Sequence, residues 1–218
     1  MSALEGPAVP AASGNADSLV ILLHGYGADG NDLIGLSQPL AGVLPNTAFV
    51  SPNAPEPSAA APMGRQWFPI PYIDGSSETA MLEGLGRAKA ALDAFIDTQI
   101  AETGLSANRV ALVGFSQGTM MSLEVGLRRE EQLAGIVGFS GRLLRAEALT
   151  SEIKSKPPVL LVHGDADEVV PPQSLDDAKV ALTTQGVSVE AHSRPGLGHG
   201  IDNEGLGLAA EFLIKALK

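Results

Sequence analysis

Residues 114–118 (GFSQG) have the types and spacing of a nucleophile elbow, a sharp strand-to-helix turn that presents a reactive serine. The preceding residues 109–115 are short and apolar, which predicts a buried strand, and residues 119–128 have apolar positions spaced for one helix face. Glycines two positions either side of the serine suit a turn where strand and helix nearly touch. Ser116 is therefore the candidate nucleophile, and the alternative is a glycine-rich turn with an ordinary capping serine.

A serine hydroxyl needs a base within reach and a carboxylate that orients that base. Of the four histidines, His199 lies in a glycine-rich segment, PGLGHGI, between the last predicted strand and the last predicted helix. A loop side chain at this position can reach the elbow, so His199 is the candidate base. We expect His192 to pack or face water, and we expect His24 and His163 to hydrogen-bond to loops at strand ends.

The orienting acid is sought in residues 163–171 (HGDADEVVP), which follow an apolar strand. Asp167 lies nearer the start of the next predicted helix, whereas Asp165 is well placed to cap N–H groups of the turn. Spacing favours Asp167 but leaves Asp165 open. The chain order Ser116, Asp167, His199 is the order found in α/β-hydrolases.

An acyl-transfer site also needs N–H donors for the oxyanion of the tetrahedral intermediate. The backbone N–H of Gln117 follows the serine at the start of a predicted helix, where the helix dipole favours negative charge. The second candidate is the N–H of Tyr26, in the glycine-rich segment 24–32 (HGYGADGND) that follows an apolar run. A purely structural turn would also explain this second segment.

The elements that must position these residues follow from the apolar pattern. Strands are predicted at residues 18–23, 47–51, 109–115, 135–139, 158–163 and 188–191. Most of these runs are continuous rather than alternating, which is typical of parallel strands covered on both faces. Residues 79–100 and 202–217 space their apolar side chains at helical intervals. The alternation predicts an α/β three-layer sandwich, a mostly parallel sheet between helices, with active-site groups at the carboxyl ends of strands.

Composition narrows the functional classes. The 14 Lys and Arg against 25 Asp and Glu give a formal net charge of -11, which repels nucleic acid and acidic membranes. The chain has no cysteine, so disulfides, a thiolate nucleophile and thiolate metal sites are excluded. A metal site built from His24, His163, Asp165 and Asp167 is poorly motivated, because no metal-binding spacing is present.

The 218 residues are enough for one core, and we predict a single domain over residues 18–218. Residues 1–17 are rich in alanine, proline, glycine and serine and are expected to be loosely ordered. Because no segment has the character of a signal peptide or a membrane span, we expect a cytoplasmic protein without stable membrane insertion. The sequence neither favours nor excludes a homo-oligomer.

Residues 52–77 form the longest stretch without regular periodicity, and binding pockets are often built from such loops. Trp67 and Phe68 in this stretch are candidate substrate-binding residues that would form an apolar wall for an acyl chain. The equally weighted alternative is that both rings anchor the loop to the core.

The motifs HGYGADG, QWFPIP, GFSQG, HGDADEVVP and GLGHG together resemble the phospholipase/carboxylesterase family of α/β-hydrolases, over residues 18–218. The resemblance implies an α/β-hydrolase core without a large cap domain, a triad of Ser116, Asp167 and His199, oxyanion donors at Tyr26 and Gln117, and no cofactor. Tyr26 stands where eukaryotic thioesterase relatives often have leucine. In this respect the chain is more similar to the bacterial carboxylesterase branch of the family.

The expected activity is hydrolysis of short- to medium-chain carboxylic esters, with a small-molecule ester as partner. A lysophospholipase or an acyl-protein thioesterase would use the same triad. A dienelactone hydrolase normally uses a cysteine nucleophile, which this chain lacks. The alternative of a different class is a non-catalytic protein that binds an acyl ligand.

Overall fold

The computed structural model describes residues 4–59 and 61–218. In this part of the chain a seven-stranded sheet has the order β1-β3-β2-β6-β7-β8-β9, and β4 and β5 form a separate two-stranded sheet. The strands are β1 Ala8–Val9, β2 Ser18–Leu23, β3 Thr47–Val50, β4 Glu56–Pro57, β5 Arg65–Gln66, β6 Val110–Phe115, β7 Gly135–Phe139, β8 Val159–Gly164 and β9 Val189–Arg194. All neighbours in the large sheet are parallel except β1, which pairs antiparallel with β3.

Helices cover both faces of the large sheet. They are α1 Gly30–Ile34, α2 Ser37–Ala41, α3 Pro71–Asp74, α4 Glu78–Thr103, α5 Gln117–Gly126, α6 Ala146–Glu152, α7 Gln173–Thr184 and α8 Asn203–Ala216, with a short 3-10 helix at Ala107–Arg109. The two longest helices, α4 and α8, are capped at their starts by side chains: Ser77 accepts a hydrogen bond from Ala80 N, and Asp202 accepts one from Gly205 N. Both residues have extended backbone, as N-caps require.

The central strands are apolar on both sides because each side meets a helix layer. Along β2, Ile21 packs in the cluster that includes residues of α4 and α5, whereas Val20 and Leu22 pack in the cluster that includes residues of α8. Residues 18–23 are all buried. This double burial explains why the strand reads as a continuous apolar run rather than an alternating one.

The predicted fold class is confirmed: the sheet is mostly parallel and lies between helices. Each of the predicted strands is present, and β8 and β9 extend beyond the predicted residues to Gly164 and Arg194. The two long predicted helices correspond to α4 and α8. Because the strands of the large sheet other than β1 are parallel, their carboxyl ends lie along one edge of the sheet.

The structure differs from the sequence prediction within the N-terminal segment. Ala8 pairs with Val50 and Val9 with Phe49, so residues 8–9 form the antiparallel edge strand rather than a loosely held stretch. Leu4 and Ala11 are also buried. Residues 1–3 lie outside the described residues, and a single domain over residues 18–218 stays a prediction. Among the described residues, no helix has the length and apolar character needed to span a bilayer.

Candidate active site

Ser116 lies on a sharp turn between β6 and α5. Its backbone has φ 54° and ψ -115°, a conformation that residues with a side chain rarely adopt. The turn is tight on both sides: a Cβ on Gly114 would lie 2.4 Å from backbone atoms of Gly118, and a Cβ on Gly118 would lie 1.8 Å from the carbonyl oxygen of Leu23. Only glycine fits at these two positions, as the elbow motif predicts. The serine is held by a hydrogen bond from its N–H to Phe139 O (2.9 Å).

Asp167 lies in the loop after β8 and is buried. Its Oδ1 accepts hydrogen bonds from the N–H groups of Val169 and Val170, both at 2.9 Å. Its Oδ2 lies 2.8 Å from Nδ1 of His199. Burial by itself would raise the pKa of Asp167, but the hydrogen bonds from His199, Val170 and Val169 outweigh it and hold the pKa below its ordinary value. The carboxylate therefore stays ionised behind the imidazole.

The loop that carries His199 is packed tightly against the loop that carries the acid. Ala166 N donates to Leu197 O at 3.0 Å, and a Cβ on Gly164 would lie only 2.1 Å from the same oxygen. The imidazole of His199 packs at a tilt on the ring of Phe115, with the ring centroids 4.9 Å apart. Phe115 is the residue before the serine, so the candidate base lies beside the elbow.

Of the two aspartates in the acid loop, Asp165 has a different partner from the one expected. The sequence predicts that Asp165 caps its own turn, but its Oδ1 accepts a hydrogen bond from the N–H of Gly196 (2.7 Å), in the histidine loop. Asp167 itself caps the local turn through one oxygen and contacts His199 through the other. The structure thus brings Asp167, and not Asp165, to the imidazole.

The segment predicted to supply an oxyanion donor lies beside the serine. A Cβ on Gly25 would be 3.4 Å from Cβ of Ser116 and 3.2 Å from a ring carbon of Phe115. The N–H of Tyr26 follows directly in this segment. The N–H of Gln117 is in the first turn of α5, where N–H groups have no acceptor within the helix. The roles of Tyr26 and Gln117 as oxyanion donors stay predictions.

The side chain of Gln117 has a function that the sequence analysis missed, because only its backbone N–H was considered. Its Oε1 accepts from Trp67 N at 2.9 Å and its Nε2 donates to Phe68 O at 2.7 Å. The amide is fully buried, so both hydrogen bonds are formed away from water. This amide ties residues 67 and 68 directly to the elbow. The signal in the sequence was a glutamine inside the otherwise tightly packed elbow motif, since a buried amide needs hydrogen-bond partners.

Trp67 and Phe68 are both buried, with 0% and 2% of their surface exposed. They belong to the core cluster that contains Ile21 and Leu112, and Trp67 Nε1 donates to His24 O at 3.0 Å. This burial favours the anchoring alternative over an exposed wall for an acyl chain. Residue 60 of the same 52–77 segment lies outside the described residues.

Two of the remaining histidines hydrogen-bond to loops, as predicted. Nδ1 of His24 lies 2.7 Å from Gly25 O, and Nε2 accepts from Ala54 N at 3.0 Å. Since Nε2 is an acceptor, the ring is neutral with its proton on Nδ1, and burial lowers the pKa of His24 accordingly. Nε2 of His163 lies 3.0 Å from Val170 O. His192 lies within β9 and is partly buried.

Tyr26 is also connected to the 52–77 segment through its side chain. Its hydroxyl donates to Oδ2 of Asp74 at 3.2 Å, and Asp74 also accepts from the N–H groups of Ile70 and Ser76. Burial by itself would raise the pKa of Asp74, but the hydrogen bonds from Ser76, Ile70 and Tyr26 outweigh it and lower that pKa. The oxyanion segment and α3 are therefore linked by an ionised acceptor. In the part of the chain that the structure describes, no group of three or more His, Asp or Glu side chains is placed to hold a metal ion.

A parallel sheet that presents a serine on a strand-to-helix turn, an acid after a later strand and a histidine in the last loop defines the α/β-hydrolase class. Within this class, the family model described as phospholipase/carboxylesterase matches residues 4–217, and the chain therefore belongs to that family. The resemblance carried by the sequence motifs is confirmed.

Individual relatives agree with the family assignment. Esterase YpfH of Escherichia coli (strain K12) is 32% identical over 202 residues, which cover 91% of this chain and 82% of that protein. Acyl-protein thioesterase 1 of Neurospora crassa is 31% identical over 212 residues, which cover 91% of this chain and 86% of that protein. The crystal structure of esterase PE8 is 46% identical with a TM-score of 0.94, and the match covers 99% of this chain and 100% of that one. These similar proteins are esterases and thioesterases by name.

Proposed function

We propose that this protein is a serine carboxylesterase that hydrolyses short- to medium-chain carboxylic esters through an acyl-enzyme, with Ser116, Asp167 and His199 as the catalytic residues. One observation carries the proposal. The buried carboxylate of Asp167 lies 2.8 Å from Nδ1 of His199, and the imidazole packs on Phe115, the residue before a serine held in strained elbow geometry. This is the arrangement that activates a serine hydroxyl at neutral pH.

In the first step, Oγ of Ser116 attacks the ester carbonyl carbon while Nε2 of His199 takes the hydroxyl proton. Asp167 accepts the Nδ1–H hydrogen bond, which fixes the tautomer and stabilises the imidazolium. The oxyanion is bound by the N–H groups of Tyr26 and Gln117. When the tetrahedral intermediate collapses, the bond from carbon to the alcohol oxygen breaks and the alcohol leaves with the proton from His199.

In the second step, water replaces the alcohol. His199 removes a proton from water as its oxygen attacks the acyl carbon, and the bond to Oγ of Ser116 then breaks. The carboxylic acid is released and the serine recovers its proton. Each step uses only groups of this chain and water, so the reaction needs no metal or cofactor.

The choice of carboxylic esters rests on the similar proteins that are esterases by name, one of them at 46% identity over nearly the whole chain. Acyl-protein thioesterases at about the same identity as YpfH support the second candidate, a thioesterase with the same catalytic residues. A protein that only binds an acyl ligand would have no use for the hydrogen-bonded Asp167 and His199.

A substrate panel tests the proposal. It uses p-nitrophenyl esters from acetate to dodecanoate, a palmitoyl thioester and a lysophosphatidylcholine, with wild type and Ser116→Ala in parallel. We expect the highest kcat/KM on acetate to octanoate, and no turnover above background for Ser116→Ala. Alanine removes only the hydroxyl, so circular dichroism and Tm should match wild type. A kcat/KM that is highest on the thioester would replace the esterase with a thioesterase, and undiminished turnover by Ser116→Ala would refute the nucleophile.

A further inference from the structure

We propose that His163 is a positioning residue for the reaction, a second imidazole that shares the carboxylate of Asp167 with His199 and limits how strongly that carboxylate holds the base in its protonated form. The inference rests on the proposed function of Asp167 and His199. It assigns to His163 more than the loop hydrogen bond that the sequence predicts.

The geometry places the ring of His163 against the acid. His163 lies near the end of β8, is 2% exposed, and has its Nε2 3.2 Å from Oδ2 of Asp167. The same nitrogen lies 3.0 Å from Val170 O. A carbonyl oxygen can only accept a hydrogen bond, so Nε2 must carry the proton. The N–H of His163 therefore donates to the carbonyl of Val170, and its positive end also lies beside the carboxylate of Asp167.

Oδ2 of Asp167 thus lies close to two imidazole nitrogens: it accepts a hydrogen bond from Nδ1 of His199 at 2.8 Å, and the protonated Nε2 of His163 lies beside it at 3.2 Å. Oδ1 receives two backbone N–H groups. We infer that the partial positive charge of the His163 N–H, 3.2 Å from Oδ2, offsets part of the negative charge that faces His199. Without it, the carboxylate would stabilise the imidazolium of His199 more strongly, and the base would remain protonated, and inactive, up to a higher pH.

The surroundings of His163 supply few competing charges. A gap of about 10 Å³ beside the ring is lined by uncharged side chains, such as Thr119 and Leu175, and by Arg142. Arg142 is exposed to solvent, where water screens its charge. The charged or titratable groups that the gap and the carboxylate bring to His163 are Arg142, Asp167 and, beyond the carboxylate, His199.

The test compares two substitutions of different donor capacity. In His163→Gln the amide nitrogen takes the place of Nε2 and keeps the donor, whereas His163→Met fills the volume without one. For His163→Met we expect the acid limb of kcat/KM against pH, measured with p-nitrophenyl butyrate, to move up by about half a pH unit or more. KM should change little because His163 does not touch the substrate. His163→Gln should keep the wild-type profile.

A purely structural role gives a different result. In that case His163→Met would lower Tm and the active fraction, but the acid limb would stay in place, and this would overturn the proposal. If His163→Met does not fold, His163→Asn removes the same donor, because its shorter amide reaches only the position of Nδ1. The expected shift of the acid limb is the same.

A second readout separates this inference from the proposed function. Proton NMR follows the imidazole C–H resonances of His199 through a pH titration and requires no turnover. Inactive wild type would refute the esterase proposal alone. Even then, the role of His163 would be supported if His199 titrates at a higher pH in His163→Met than in wild type and in His163→Gln. Coincident titrations in the three proteins would overturn it.

Discussion

At the scale of single residues, the site depends on how the oxygens of one carboxylate are used. Oδ1 of Asp167 accepts hydrogen bonds from its own turn and Oδ2 accepts one from the imidazole of His199, so the same side chain orders the acid loop and holds the proposed base. Asp165, two residues earlier, accepts a hydrogen bond from Gly196 N and so holds the loop that carries His199. The two aspartates therefore support the same histidine by different means, one by direct contact and one by holding its loop.

Substituting each aspartate by asparagine should separate these two tasks. In Asp167→Asn the amide can donate to Nδ1 of His199, which places the proton on Nε2 and prevents it from accepting the serine proton. We expect kcat to fall on the order of 10⁴-fold, the size of the same change in a serine protease. Asp165→Asn keeps an oxygen for Gly196 N and should lose less than about tenfold. Both are measured with p-nitrophenyl butyrate at pH 7 to 8, and the reverse ranking would move the acid to Asp165.

At the scale of elements, the active site is formed by the close approach of β2, β6 and α5. Gly118 lets the first turn of α5 lie against the end of β2, and Gly25 lets the next segment lie against Ser116. The Gln117 amide then ties residues 67 and 68 to the same turn. The proposed nucleophile, the candidate oxyanion segment and the 52–77 segment are thus fixed to one another through the start of α5.

Gly118→Ala should disturb this arrangement. A methyl group 1.8 Å from Leu23 O forces α5 away from β2, so we expect a loss of about 1–3 kcal/mol in the free energy of unfolding. Displacement of the elbow by about 1 Å should also lower kcat about 10²-fold. The matched control is Gly86→Ala in α4, where an added Cβ meets nothing within 4 Å. That change should stabilise the protein by about 0.5–1 kcal/mol and leave kcat unchanged.

Urea unfolding and esterase kinetics on both variants check this prediction. Equal stability and equal kcat in Gly118→Ala and wild type would show that α5 can shift without moving the serine. The close packing of the elbow would then have no part in catalysis.

At this scale, the sequence predicts the elements whose pattern is contained in consecutive residues and not the contacts between segments that are distant in the chain. The buried strands and α4 and α8 were readable because apolar periodicity is a property of consecutive residues. The edge strand at Ala8–Val9 was missed because two residues carry no period, and its partner lies about 40 residues away in β3. The contacts of Gln117 with residues 67 and 68, and of Asp165 with Gly196, were missed for the same reason, since each joins segments distant in the chain.

At the scale of the whole molecule, an ion-pair cluster that includes none of the proposed catalytic residues joins α4, α5 and α6. The side chain of Glu124 is fully buried and contacts Lys89 at 3.1 Å, Arg128 at 3.0 Å and Arg145 at 2.5 Å. Glu152 of α6 lies 2.6 Å from both Arg128 and Arg145. The hydrogen bonds from Arg128, and then from Arg145, lower the pKa of Glu152 from 4.5 to about 2.

This lowered pKa predicts how the cluster responds to acid. A carboxyl group with a lower pKa in the folded state stabilises the fold above its unfolded pKa of 4.5, and loses that contribution as pH falls toward about 2. Glu152→Gln should therefore be less stable than wild type at pH 7 and lose less stability between pH 5 and pH 3. The urea midpoint at each pH measures this, with Glu147→Gln on an exposed position of the same helix as the control. Parallel curves for wild type and Glu152→Gln would contradict the assignment.

The central claim is that Ser116 is a nucleophile because His199, oriented by Asp167, removes its proton. Intact-mass spectrometry after reaction with a fluorophosphonate probe tests it directly, since only an activated serine reacts. The account predicts one adduct on wild type, mapped to Ser116, and none within the same time on His199→Ala or Ser116→Ala. An adduct on another residue, or equally fast labelling of Ser116 in His199→Ala, would contradict it.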